Sequence, residues 1–133
     1  MQSNQQITLY GIPNCDTVKK ARVWLQEYQG NFVFHDFKKN GLDRETVEKW
    51  LTQVGLDVLI NRKGTTWRAL SDEQKAGAAN TEQAIALILN SPSLVKRPVL
   101  CITRIENAAD SKALTVNVGF SPAQYHTIFN IAP

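Results

Sequence analysis

The chain of 133 residues holds only two cysteines, one methionine and two histidines. Two thiols far apart in the sequence make no disulfide framework, so a reducing compartment, the cytoplasm, is expected. No apolar run reaches the roughly 18 residues of a membrane-spanning helix. The opening MQSNQQ is polar, with no basic stretch ahead of an apolar core, so no signal peptide is expected. Charge of one sign is scarce too: 15 Lys and Arg stand against 12 Asp and Glu, a formal charge of +3. No basic run is long enough for a dedicated nucleic-acid surface. Neither nucleic acid nor membrane is therefore expected as a partner, and no metal site is expected. There is no internal repeat and no low-complexity tract. What remains, 43% apolar and 20% charged residues, is the composition of an ordinary globular protein, and the length suits one domain, residues 1–133.

The apolar residues that are present are patterned. Ile7-Thr8-Leu9-Tyr10 alternates as a short strand does, and Gly11 and Pro13 end it. From Cys15 onward Val18, Ala21, Leu25 and Tyr28 recur at helical spacing, closed by Gly30. Residues 32–36, FVFHD, read as a second strand, which makes a right-handed βαβ unit with parallel strands. A helical stretch follows. Asp43 is placed to cap a helix with Val47, Leu51 and Val54 on its inner face and Gly55 at its stop. Ser71 and Gln74 have capping-box spacing, and Asn80 or Thr81 opens a helix that ends before Pro92. PVLCIT and ALTVNV are two strands joined as an antiparallel hairpin through residues 104–112. Ser121-Pro122 then starts a last helix, with Tyr125, Ile128 and Phe129 placed to pack on the sheet. This order predicts an α/β, thioredoxin-like fold. Its mixed four-stranded sheet carries an all-helical insertion at about residues 42–93, and the first and last helices are expected to sandwich the sheet.

In that arrangement Cys15 falls in the loop after the first strand, at the first turn of a helix, where ligands of α/β sheets usually bind. The unpaired first N–H groups of the helix and its dipole favour thiolate over thiol. Lys19 and Arg22, one and two turns on, add to this, while Asp16 opposes it. The residue that would complete a Cys-x-x-Cys pair is Val18, so Cys15 has no local disulfide partner. Arg22 is too far along, and the intervening sequence too poor in glycine, for a Cys-x5-Arg phosphate loop. Cys101 lies inside a strand and, if Pro98 faces Cys15, on the opposite face, so it reads as core packing. Pro98 opens a strand, one of the few places where proline is tolerated there, and its peptide bond to Arg97 is open between cis and trans. Arg62 and Arg97 are the candidate anion binders, since guanidinium groups match carboxylates and oxyanions bidentately. His35 reads as a hydrogen-bonded edge residue, and Trp67 and Arg68 as structural.

Taken in order, LYGIPNCDTVKKARVWL, FHDFKKNGL, LINRKGTTWRAL, VKRPVLC and VGFSPAQY resemble the arsenate reductase-like ArsC and Spx family, and most of all its YffB-type branch. The resemblance implies a single catalytic cysteine, Cys15, with Arg62 and Arg97 holding the oxyanion and glutathione releasing the product. A further arginine is expected just before the terminal helix, where this chain has Gly119 and Phe120. The reading that follows is a monomeric, glutathione-dependent monothiol oxidoreductase acting on an unidentified oxidised substrate. In it Cys15 is the nucleophile, and Asn14, Lys19, Arg62, Arg97 and Pro98 bind substrate or glutathione. The alternative is an Spx-like protein that binds the RNA polymerase α subunit without the cysteine-pair switch.

Overall fold

Alternation in the first strand puts Ile7 and Leu9 on one face, and both are buried. A computed structural model describes residues 5–105 and 112–131 of the chain. The backbone divides into two units. One, formed by residues up to 36 and from 97 onward, contains β1 (Gln5–Gly11), α1 (Asp16–Tyr28), β2 (Val33–Asp36), β3 (Val99–Ile105), β4 (Lys112–Val118) and, at its end, a short helix. The other, residues 37–96, contains α2 (Phe37–Asn40), α3 (Arg44–Leu51), α4 (Leu56–Leu59), α5 (Thr65–Arg68), α6 (Asp72–Gly77), α7 (Thr81–Asn90) and a 3-10 turn at Pro92–Leu94. The short helix that closes the chain is α8 (Pro122–Ile128).

The sheet runs in the order β2-β1-β3-β4. β1 is parallel to β2, with Leu9 opposite Phe34, and antiparallel to β3, with Ile7 opposite Ile102 and Leu9 opposite Leu100. β3 is antiparallel to β4, with Cys101 opposite Val116. The loop expected to join β3 and β4 lies largely outside the described residues. Val99, Leu100, Cys101 and Ile102 are all buried, as a central strand covered on both faces requires. Ile7, Leu9, Leu100 and Ile102 form one core with Ala21, Trp24 and Leu25 of α1 and Tyr125 of α8.

Both helices therefore cover the same face of the sheet, which corrects the expected sandwich. The reason is aromatic. Gly119, at φ +86°, turns the chain after β4, and the rings of α8 then meet those of α1. Trp24 meets Tyr125 edge-on at 5.3 Å, Tyr28 meets His126 at 5.2 Å, and Phe129 stacks on Trp24 at 5.4 Å.

The helical unit is built of short pieces held at their ends. Asp43 accepts from the Thr46 N–H at 2.9 Å, Ser71 and Gln74 form the capping box, and Asn80, rather than Thr81, caps α7. Val47 and Trp50 are the buried residues of α3; Leu51 and Val54 are only half-buried. That helix ends at Leu51, and Gly55, expected as its stop, instead precedes α4 as its N-cap.

Candidate active site

Cys15 is the residue just before α1. Its backbone is extended (φ −102°, ψ 124°), its carbonyl accepts the first helical hydrogen bond from the Lys19 N–H at 2.9 Å, and its side chain makes no capping bond. The residue is half-exposed and sits at the head of a 13-residue helix, whose first N–H groups have no partner within the helix. A close approach fixes this helix start. A Cβ added at Gly11 would stand 2.8 Å from Cγ2 of Val18 and 3.0 Å from its Cγ1, and Val18 is fully buried. Only glycine lets the end of β1 approach the first turn of α1 so closely. Pro13 and Asn14, between them, are exposed.

Other groups gather at the same end of the sheet. Continuing the β1–β3 register one step beyond Tyr10 and Val99 brings Gly11 level with Pro98. The Arg97–Pro98 peptide bond is cis. Pro98 is buried, and its carbonyl accepts from the Gly119 N–H at 2.8 Å. The loop bearing Cys15, the Arg97-Pro98 pair and the turn at Gly119 thus leave the sheet together. Arg97 is half-exposed and Lys19 exposed. Arg22 is drawn elsewhere: its guanidinium lies over the Phe34 ring at 4.1 Å, so the cation expected to help the thiolate is committed to β2.

Arg62 belongs to the helical unit. There it lies over Trp67 at 5.5 Å and lines a polar pocket of about 450 Å³ with Asp57 and Thr81. Neither Arg62 nor Arg97 forms an ion pair among the described residues. Arg68 has a structural role, donating to the Lys63 carbonyl at 2.9 Å. His35 packs tilted against Tyr10 at 4.9 Å. Cys101 is buried on the face opposite Leu100 and Ile102, in register with Thr8 and Val116, and neither cysteine is in a disulfide. Among the described residues no group of three or more His, Cys, Asp or Glu could hold a metal ion. No described helix is long and apolar enough to cross a membrane.

Sequence reasoning missed the aromatic seam of Trp24, Tyr28 and His126. The spacing of Trp24 and Tyr28 on α1 was a signal for it, but their partners on α8 were not. Tyr125 sits within the same seam. Burial pushes its phenol above its ordinary range, and its hydroxyl has no hydrogen-bond partner among the described residues.

Comparison with known proteins agrees with this geometry. An uncharacterized protein of Haemophilus influenzae is 40% identical over 123 residues, 92% of this chain and 98% of its own length. The global transcriptional regulator Spx of Streptococcus pneumoniae is 28% identical over 96 residues, 71% of either chain. The solved structure of a YFFB protein matches with a TM-score of 0.77 at 41% identity, covering 92% of this chain and 97% of that one. The sequence profile of the ArsC family spans residues 10–128, from the end of β1 to the end of α8. A lone cysteine heading α1, the Arg97-Pro98 pair and a match along nearly the whole chain lead to one assignment: the chain belongs to the ArsC family.

Proposed function

We propose that this protein is a glutathione-dependent monothiol reductase with Cys15 as its nucleophile. The observation that carries the reading is a half-exposed cysteine at the head of a 13-residue helix, its side chain not used for capping. Its sequence neighbour at the second position of a cysteine pair is the buried Val18, and Cys101 is buried within β3. The Cys15 thiolate attacks one sulfur of a substrate disulfide. A new S–S bond forms at Cys15, the old one breaks, and the leaving thiolate takes a proton from water. With no second thiol to resolve the adduct, a glutathione thiolate attacks the half held by Cys15 and carries it away as a mixed disulfide. Cys15 returns as thiolate; when the bound half is itself glutathione, the product is oxidised glutathione. Backbone N–H groups at the start of α1 stabilise the thiolate. Arg97 and Arg62, free of carboxylate partners among the described residues, are assigned to the glutathione carboxylates, with Asn14, Lys19 and Pro98 positioning the bound chain. Glutathione is a co-substrate; no metal takes part.

Arsenate reduction is the less favoured chemistry. Where the family's further arginine is expected, Gly119 holds φ +86°, a conformation that side-chain-bearing residues rarely adopt. The similarity to Spx supports a second reading, binding to the RNA polymerase α subunit without a redox switch. One experiment separates the two. The protein is treated with oxidised glutathione, and a single glutathionyl adduct on Cys15, removed by reduced glutathione, is expected by mass spectrometry. If no adduct forms while both the wild type and Cys15→Ser retain the isolated C-terminal domain of polymerase α on a column, the reductase reading fails and the second stands.

A further inference from the structure

A groove of about 600 Å³ runs between α1 and α8, within the sheet unit. Its floor is aromatic: Trp24, Tyr28 and Phe120 line it with Pro122. Val23 forms one wall and is 64% exposed, and Tyr28 is 45% exposed. Charge is distributed along it. Lys19 and Lys20 stand at the end where α1 begins, and Glu27 lies at the other. β1 and β4 run the same way, so α1 and α8 start from one end of the sheet. The lysine end is therefore the end that carries Cys15, with only about 6 Å of helix rise between Cys15 and Lys19.

A second observation points to a ligand. Trp24 is 6% exposed, yet its indole N–H has no hydrogen-bond partner among the described residues, and neither has Nδ1 of His126, which also lines the groove. Unpaired buried polar atoms are rare and costly in native proteins. Here two of them lie on rings that meet edge-on at 5.4 Å, both of which line the apolar cleft.

We propose that this groove is the subsite for the body of the substrate, and that the body is a flat apolar group bearing a carboxylate near its sulfur. The inference rests on the reductase reading above, because it places the groove beside the nucleophile. Size favours a small molecule. The volume falls in the range of small-ligand pockets, whereas a stable protein partner would need roughly 800 Å² on each side, and Val23 and Tyr28 are the only large exposed apolar residues among those described on these two helices. Sign favours an anion: two lysines at the mouth attract a carboxylate, and Glu27 repels one from the far end.

The binding test uses full-length Cys15→Ser, which removes thiol chemistry, with naphthoate as probe and nitrogen–proton NMR as readout. Saturable shifts are expected at the Trp24 indole N–H and the backbone N–H groups of Lys20, Val23 and Phe120. Naphthamide should bind several-fold more weakly. Val23→Glu, at an exposed helical position that leaves the fold intact, should weaken naphthoate by about tenfold through lost apolar contact and added repulsion. Shifts confined to the helical unit, an equal affinity for the amide, or indifference to Val23→Glu overturn the proposal. So does a dimer that Val23→Glu dissociates, since the groove would then belong to a second copy of the chain.

The substrate test uses the wild type. Dithiobis(nitrobenzoate), an aromatic disulfide acid, reacts at Cys15 by thiol–disulfide exchange: one half stays on Cys15 as a mixed disulfide and the other leaves as thionitrobenzoate. Saturating naphthoate should slow this several-fold and leave reaction with neutral hydroxyethyl disulfide unaffected; slowing neither, or both equally, overturns the proposal. If naphthoate binds as expected but oxidised glutathione never modifies Cys15, the reductase reading fails and the groove remains a binding site.

Discussion

The two units are stabilised by different means. The sheet unit owes its order to strand register and to one aromatic core, in which Trp24, Tyr125 and Phe129 meet above Leu9 and Leu100. The helical unit is made of α-helices of 4 to 10 residues, too short to persist alone in water. It depends on side chains that close helix ends and on a few large buried residues, Trp50, Phe37 and Ile85 among them. Each kind of change is therefore felt in a different place. Geometry at the head of α1 is set by backbone approach, as Gly11 against Val18 shows. Geometry around Arg62 is set by turns and caps, as the Asn61 side chain accepting from the Lys63 N–H at 3.1 Å shows.

Five substitutions test that contrast, Cys101→Ala serving as the control for the first and the others following in decreasing order of effect. Cys15→Ser should lower turnover of a disulfide substrate by about a thousandfold or more, the scale seen when a nucleophile is deleted. Cys101→Ala, a change in the core of the same sheet, should leave turnover nearly intact; equal losses would place the chemistry elsewhere. In the helical unit Trp50→Ala should cost about 3–5 kcal/mol in urea unfolding, because a fully buried ring leaves a cavity. Were the melt of that variant unchanged, Trp50 would not be the anchor of α3. Gly11→Ala should cost about 1–3 kcal/mol through overpacking against Val18 and should also slow alkylation of Cys15, since the head of α1 must shift. A stable variant with unaltered Cys15 reactivity would show that the approach is loose.

The smallest effect is a pH dependence in the helical unit. Nη2 of Arg44 donates to Glu82 at 2.6 Å, and its Nε donates to Glu48 at 2.8 Å. The hydrogen bond from Arg44, then its charge, holds the Glu82 carboxyl below the usual carboxylate range. A group depressed in the folded state contributes stability above its unfolded value, and that contribution is lost as pH falls through the folded value. Glu82→Gln should therefore lower stability slightly above the unfolded carboxyl value of about 4.3, remove the part of the acid-side loss that falls between that value and the lower folded one, and match the wild type below both. Both side chains are exposed, so the effect is small and should fade in salt. An unchanged profile would leave the caps and the buried core as the only supports of α3 and α7.

What could be read from the sequence was local. Asp43, Ser71 with Gln74, and Ser121 announce helix starts because a cap bonds within three residues of itself. The span of α1 follows from one apolar stripe, and the placement of Cys15 at its head follows from that span. The pairings of β1 with β2 and of β3 with β4 were legible because a βαβ unit and a hairpin leave few arrangements; that β1 and β3 lie side by side at the centre was not. The rest depended on partners distant in sequence. Which face α8 covers is decided by Trp24, about a hundred residues earlier. By spacing along α1 Arg22 reads as a helper of Cys15, whereas Phe34, on a neighbouring strand, takes it. Trp50 is hidden in the sequence because a stripe through Val47, Leu51 and Val54 fits a helix that continues to Gly55, whereas α3 stops at Leu51. The cis state of the Arg97–Pro98 bond has no signature in the residues themselves.

Val18 sits with no exposed surface, pressed against Gly11, at the place where many proteins keep a second sulfur to undo the first. On the monothiol chemistry proposed above, a chain built this way would have no internal route back once Cys15 is occupied. The lifetime of the occupied form would then track the supply of thiols outside the molecule, and its blocked fraction would become a running measure of how oxidised the surroundings are.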